Sequence, residues 1–454
     1  MGLMGIPYFD EYVLKGGFPK GSLVLVAGEP GAGKTIFTAT YLYNGAKKFG
    51  EKGIYVSFGE TRDEFYEAMG RFGMDFEELE RRGLFRFVDL VTTTGEVLSK
   101  EIELLMREFA SFQPKRIVID PISVFAQNLG PEKTRVFLHT LLGRFVKGTG
   151  GTALLITEKP IGRETIGHGL EEFVADGVLI LRYHSLGEVT RRVLEIPKMR
   201  RRAIKRTQYE YVITDKGIEF IEVPELEHKK TSYSLEKITT GLRELDEMLD
   251  GGVYRGSNVL IVGMTGTGKT TFALHFAVAN ALAGRRVVYI TFEEPVGQIL
   301  RAAGNYGMDV NEPLRSGNLV ILSWVPEAET PVYTFLKIRH LIEELKPEAL
   351  VIDGLTALRQ HLDSEELEKM LRYLSLFMKE RDVTVYYTLT EDTNFEVVPF
   401  TGASTMMDVI IGLKYIVKED HIERRIAIIK ARGSNHSRKI HKYEITERGV
   451  EIYG

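Results

Sequence analysis

Two stretches of this sequence have residue types and spacing that suit polyphosphate chemistry. The first runs Gly28, Glu29, Pro30, Gly31, Ala32, Gly33, Lys34, Thr35 and is followed by Ile36. The second runs Gly263, Met264, Thr265, Gly266, Thr267, Gly268, Lys269, Thr270 and is followed by Thr271. Both fit G-x-x-x-x-G-K-[ST]. Glycines let the backbone curl until its N–H groups converge on phosphate oxygens, and a helix that begins at the lysine adds the positive end of its dipole. Lys34 and Lys269 would then meet the β- and γ-phosphates of ATP, and Thr35 and Thr270 would ligate Mg2+. One such stretch can be an accidental turn. Two, each placed between an apolar strand (LVLVAG, NVLIVG) and a helix-like run, are not explained that way.

Carboxylates sit where the remaining chemistry needs them. Asp120 and Asp353 end the apolar runs IVID and LVID, the position of a second metal-organising group beside a phosphate loop. Hydrolysis also needs a base that orients or deprotonates the attacking oxygen. The segment YITFEE offers Glu293 and Glu294, whereas YVSFGE offers only Glu60, because Gly59 stands where the first carboxylate would be. Glycine accepts no proton, so two outcomes stay open. Glu60 serves and the sites differ in rate, or only the first position matters and the first site is impaired.

These residues recur because the chain is a duplication. GGFPKGS returns as GGVYRGS, FGMD as YGMD, KMR as KAR and ITDKGIEF as ITERGVEI, in the same order and at nearly constant offset. The repeat is far longer than that of a solenoid, so it marks whole domains. We place them at 1–224 and 238–454, joined by a polar, charged linker at 225–237. Within each copy, short runs rich in Val, Ile and Leu alternate with stretches long enough for helices, such as Thr35–Phe49, Val97–Phe112 and Thr271–Ala283. Continuous apolar runs suit strands buried on both faces, which predicts two α/β domains, each with a mostly parallel sheet flanked by helices.

Composition narrows the classes. The chain has 44% hydrophobic and 27% charged residues, an ordinary globular balance. It has no cysteine, so disulfides and thiolate metal sites are excluded, and a reducing, cytoplasmic setting is expected. No apolar run approaches the roughly 20 residues of a membrane helix, and the N-terminus lacks the pattern of a signal peptide. A net charge of −4 argues against general binding to nucleic acid.

Taken together, the tandem phosphate loops, the strand-end FEE, IDGLTAL after the second loop and TEKPIGRETIGHGLEEFVADGVLILRY at Thr157–Tyr183 resemble the KaiC family of double-domain RecA-type ATPases across nearly the whole chain. That resemblance implies an ATP-binding, ATP-hydrolysing regulatory protein that assembles, with ATP, into a homohexameric ring holding ATP and Mg2+ between neighbours. It further implies that Lys198 and Arg200, and Lys430 and Arg432, reach a neighbour's γ-phosphate. The second copy keeps Gly433–Ser434 after that motif, while the first has Arg201–Arg202, which leaves its loop geometry open. The family phosphorylates its own second domain on a Ser–Thr pair before a strand-opening Asp. Aligned on Asp408, that pair is Ser404 and Thr405, whereas the first copy has Glu172 and Phe173. The sequence ends at EIYG, just after ITERGVEI, so control through a long clock-type tail is not expected, and no circadian role is carried over. A further signalling protein remains open as a partner.

Two other functions compete. The basic run RRVLEIPKMRRRAIKR (Arg191–Arg206) would suit a RecA-type ATPase acting on nucleic acid, but it has no interleaved aromatics for base stacking. Gly59 would suit an ATP-dependent assembly scaffold.

Overall fold

In the computed structural model the chain divides into two compact units, Met1–Glu222 and Val223–Gly454. The structure describes residues 2–90, 95–158, 175–186, 189–220, 234–325, 331–361, 364–393, 395 and 404–453. Most of the Thr157–Tyr183 segment, Glu172, Phe173 and most of the expected linker lie outside the described residues.

Unit 1 is built on nine strands: β1 (Ser22–Gly28), β2 (Gly53–Ser57), β3 (Phe85–Asp89), β4 (Arg116–Asp120), β5 (Thr152–Glu158), β6 (Gly177–Leu186), β7 (Val189–Met199), β8 (Gln208–Thr214) and β9 (Gly217–Phe220). Their order in the sheet is β3-β2-β4-β5-β1-β6-β7-β8-β9, parallel from β3 through β6 and antiparallel beyond. The parallel part follows from composition. Every residue of β1 is buried, and alternate side chains feed two cores. Val24 and Val26 point into one, with Phe37 and Tyr41 of the following helix; Leu23, Leu25 and Ala27 point into the other, with Phe109 and Leu142. A strand buried on both faces has no polar side to alternate, which is why LVLVAG reads as one apolar run.

Unit 2 opens with the short pair β10 (Lys237–Ile238) and β11 (Val253–Tyr254). It then repeats the architecture with β12 (Asn258–Gly263), β13 (Val287–Thr291), β14 (Leu319–Ser323), β15 (Ala349–Asp353), β16 (Thr384–Thr390), β17 (Val409–Val417), β18 (Ile422–Ala431), β19 (His441–Thr446) and β20 (Gly449–Tyr453). The sheet order, β14-β13-β15-β16-β12-β17-β18-β19-β20, repeats that of unit 1 strand for strand. The strands that carry motifs are therefore neighbours in both units. The phosphate-loop strand is flanked by β5 or β16 on one side and by β6 or β17 on the other. The aspartate strand lies next to the strand that ends before the glutamates. Among the described residues no helix is long and apolar enough to cross a membrane.

Candidate nucleotide and catalytic sites

Each phosphate loop leaves the C-terminal end of the sheet and enters a helix at its lysine, Lys34–Phe49 in unit 1 and Lys269–Leu282 in unit 2. The residue before each lysine, Gly33 or Gly268, caps its helix in the left-handed region, at φ 88° and 93°. A Cβ at either glycine would also stand 2.7 Å from the Ile213 Cδ1 methyl or 2.5 Å from that of Ile445. Backbone conformation and a pressing neighbour thus exclude a side chain at the same point. The neighbour belongs to the terminal hairpin of each sheet, which also holds the loop by a hydrogen bond. Tyr211 Oη donates to the Ala32 carbonyl and Tyr443 Oη to the Thr267 carbonyl, each at 2.6 Å.

The lysines bend over the start of their own loops. Lys34 Nζ donates to the carbonyls of Gly28 (2.9 Å) and Glu29 (3.0 Å); Lys269 Nζ donates to those of Gly263 (3.0 Å) and Met264 (3.1 Å). Desolvation lowers both ammonium pKa values, and nearby carboxylates oppose it: chiefly Asp120 for Lys34, and Glu293 then Asp353 for Lys269.

The threonine and aspartate of each motif pair meet. Thr35 Oγ1 donates to Asp120 Oδ2 at 3.2 Å, and Thr270 Oγ1 to Asp353 Oδ1 at 3.4 Å. Tyr55 and Tyr289 donate to the same carboxylates, and in unit 2 Thr388 joins them. A hydroxyl and a carboxylate beside a phosphate loop are hard oxygen ligands that fit Mg2+, which keeps its remaining positions for phosphate and water. When bound there, the ion would neutralise charge on the transferring phosphoryl group. Burial raises the Asp120 carboxyl above its ordinary value, against the hydrogen bonds from Tyr55 and Thr35 and the charge of Lys34.

The candidate bases emerge from a turn fixed by the strand's last residue. Thr291 Oγ1 accepts from the Glu293 and Glu294 amides at 3.3 and 3.0 Å, and Ser57 Oγ accepts from Gly59 and Glu60 at 3.3 and 2.9 Å. Glu293 and Glu294 line a cavity of about 760 Å³ together with Lys269, Thr270, Thr390 and Arg424, a volume within the usual range for ligand sites. Partial desolvation first, and the charge of Asp353 next, hold both carboxyls above the ordinary range; Glu60 is raised by desolvation and then by Asp120. A raised carboxylate is a better proton acceptor near neutral pH. Gly354, at φ 99°, makes the room: a Cβ there would lie 2.7 Å from Glu293 Cγ. Unit 1 has Pro121 at that place and Gly59 opposite it.

The K-x-R residues lie elsewhere. Lys198 pairs with Val178 near the start of β6, and the Arg200 guanidinium stands 3.7 Å from Asp176. Lys430 pairs with Ile410 near the start of β17, and Arg432 stands 3.9 Å from Asp408. The phosphate loops follow Gly28 and Gly263, which pair with Leu181 and Leu413 further along those strands. Each basic pair therefore sits at the opposite end of the sheet from its own phosphate loop. Ser404 and Thr405 share that far end: Lys430 Nζ donates to the Ser404 carbonyl at 2.7 Å and Arg432 to that of Thr405 at 2.8 Å. The residue after the motif is left-handed in both units, Arg201 at φ 66° and Gly433 at φ 68°.

Much of the Arg191–Arg206 basic run is engaged within unit 1. Arg191 pairs with Glu210, Arg201 donates to the Lys20 carbonyl, and Arg202 donates to the carbonyls of Gly16 and Gly17. The phosphate-loop, aspartate and K-x-R motifs do not contain the tyrosines at 55, 211, 289 and 443, nor the matched pair Arg192 and Arg424. The duplication marks all six, because each occupies the same place in both copies.

Fold and site define the class: two tandem RecA-like P-loop NTPase domains. A sequence model of the family described as "ATPase: KaiC" matches residues 3–225 and again 238–454. The chain is 32% identical to the circadian clock oscillator protein KaiC of Parathermosynechococcus lividus, over 99% of this chain and 84% of that one. It is 33% identical to KaiC of Synechococcus elongatus, over 98% and 87%, and 30% identical to the circadian clock protein KaiC3 of a Synechocystis species, over 99% and 90%. The chain belongs to the KaiC ATPase family, and it binds and hydrolyses ATP.

Proposed function

We propose that copies of this chain form a ring in which Mg·ATP bound at each phosphate loop is completed by Lys198 and Arg200, or Lys430 and Arg432, of the neighbouring copy, and that the ring acts as a nucleotide-dependent regulator. Thr35 with Asp120, and Thr270 with Asp353, hold the metal. Glu293, Glu294 and Glu60 serve the attacking oxygen, and Ser404 and Thr405 receive phosphate in unit 2. Domains at 1–224 and 238–454, joined at 225–237, are the ring-forming parts. The observation that carries this reading is the separation of loop and K-x-R motif along the strands, roughly 10 Å for the three positions to each lysine and roughly 16 Å for the five to each arginine's aspartate. A basic pair so placed is directed away from its own loop, and its arginine is exposed in both units. An arginine supplied by a neighbour stabilises charge on the transferring phosphoryl group.

Native mass measured with and without Mg·ATP tests assembly; a monomer that hydrolyses ATP at full rate would sink the ring. Mixing tests the shared site. Arg432→Ala and Lys269→Ala subunits should each fail to label Ser404 or Thr405, and co-assembled rings should regain labelling at junctions that join an intact loop to an intact arginine. Gly59 favours a second reading for unit 1, in which bound ATP holds the ring together without turnover. Lys34→Ala, scored separately for assembly and hydrolysis in a Lys269→Ala background, separates the two.

A further inference from the structure

Unit 1 lacks one carboxylate at the end of β2 and has another one strand further on. Glu158 is the last residue of β5 and the one exposed position of that strand. It pairs in register with Gly28, so its backbone stands roughly 5 Å from the point where the phosphate loop begins. The sheet order puts β4 between β2 and β5, and Asp120 therefore has the Gly59–Glu60 turn on one side and Glu158 on the other. In unit 2 the corresponding residue is Thr390, which pairs with Gly263 in the same register and lines the nucleotide cavity beside Glu293. This position thus lines the cavity of unit 2, and there it carries a hydroxyl next to a full glutamate pair. In unit 1 the glutamate is missing and the hydroxyl has become a carboxylate.

We propose that Glu158 supplies the carboxylate Gly59 lacks, acting with Glu60 on the water that attacks ATP in unit 1. Glu158 accepts a hydrogen bond from that water. The water oxygen bonds to the γ-phosphorus, and the bond from γ-phosphorus to the β–γ bridging oxygen breaks, its electron pair leaving on ADP. The water proton passes to Glu158 and then to the released phosphate. The electrostatics agree with a side chain turned toward the site. After desolvation, the charges of Asp120 and Glu158 are the largest influences on Lys34, and Glu158 also acts on Asp120. A glutamate at position 59 itself meets no obstacle at its root, since a Cβ added there has nothing within 4 Å.

The proposal rests on unit 1 being a hydrolytic site, and the test separates the two claims. In full-length Lys269→Ala protein, where unit 2 is silenced, the remaining ATP turnover is measured. Adding Glu158→Gln should lower kcat about 100-fold while KM for ATP stays within about threefold, the signature of a lost proton acceptor. Adding Gly59→Glu to that variant should restore kcat at least about tenfold, which a merely structural Glu158 would not allow. Glu158→Gln turnover within threefold of the parent, or a matching loss of ATP binding, would overturn the proposal and leave unit 1 a hydrolase. Absence of turnover in Lys269→Ala alone, with ATP still bound at unit 1, would end both claims.

Discussion

The two units share a strand order, a phosphate loop, a tyrosine-clamped hairpin and a threonine–aspartate pair, yet they differ in the side chains around that pair. Unit 2 has Glu293 over Gly354 and Thr390 at the end of β16; unit 1 has Gly59, Pro121 and Glu158 at the same places. The changes are concerted. Gly354 is needed where a glutamate side chain must lie across the backbone, and Pro121 is tolerated where none does. What the duplication holds constant is the phosphate-loop geometry and the threonine–aspartate pair; what it varies is the set of candidate bases beside them. On the proposed reading, the fold keeps a nucleotide in both units while assigning them different rates and acceptors.

The comparison breaks most sharply at the base. Glu293→Gln should lower unit 2 hydrolysis and Ser404 or Thr405 labelling by about 10²- to 10⁴-fold with ATP still bound, as for loss of a general base. Glu60→Gln should cost unit 1 less. Equal losses in the two units would show that Glu60 and Glu293 have equal weight and that Gly59 is immaterial. Next comes Gly354→Ala. Its methyl meets Glu293 Cγ at 2.7 Å, and φ 99° strains any L-residue. We expect a fall of about tenfold or more in unit 2 turnover and a stability loss on the order of 1–3 kcal/mol. Activity retained in full by Gly354→Ala would mean that Glu293 works from another rotamer.

Removing a loop clamp should have a smaller effect. Tyr443→Phe leaves the Thr267 carbonyl without its side-chain donor, at about 1–2 kcal/mol and a several-fold rise in KM for ATP at unit 2. Tyr211→Phe should do the same at unit 1 through Ala32. A change in kcat with KM unaltered would contradict a clamp and point to a role in the chemical step.

The phosphate-loop geometry was legible in the sequence, and the surroundings of the candidate bases only in part. G-x-x-x-x-G-K-[ST] announces itself because a tight curl of N–H groups demands glycines at fixed spacing, and an aspartate closing an apolar run must emerge at the sheet's C-terminal edge. The parallel sheet was legible for the same local reason, since IVID and LVLVAG have no polar face. The contribution of Tyr211 and Tyr443 was not legible, because it depends on a hairpin folding back across more than half of the unit. Nor was the place of Glu158, because a glutamate after ALLIT has no meaning until β5 is known to lie between Asp120 and the phosphate loop. Sequence spacing reports what one element does; strand order, which decides who faces whom, appears only in three dimensions.

The finest difference between the units lies on the helix behind the phosphate loop. His275 of unit 2 accepts a hydrogen bond from the Val450 amide at Nε2 (3.0 Å), which ties that helix to the β19–β20 hairpin carrying Tyr443. Unit 1 has Thr40 there, bonded to its own helix through the Ile36 carbonyl. Burial lowers the His275 pKa from 6.5 to about 4. Between those values the unfolded chain binds a proton that the folded one refuses, so this histidine makes stability fall as pH drops from about 6.5 toward 4. Over the first one and a half pH units the loss is at most about 2 kcal/mol. His275→Thr removes that dependence along with the bond to Val450. Denaturant midpoints of the unit 2 transition should favour the parent protein at pH 7, and the gap should narrow at pH 5. A gap that stays constant between the two pH values would mean that His275 does not remain neutral in the folded unit, and that the two hairpins are held to their helices by acid-insensitive contacts alone.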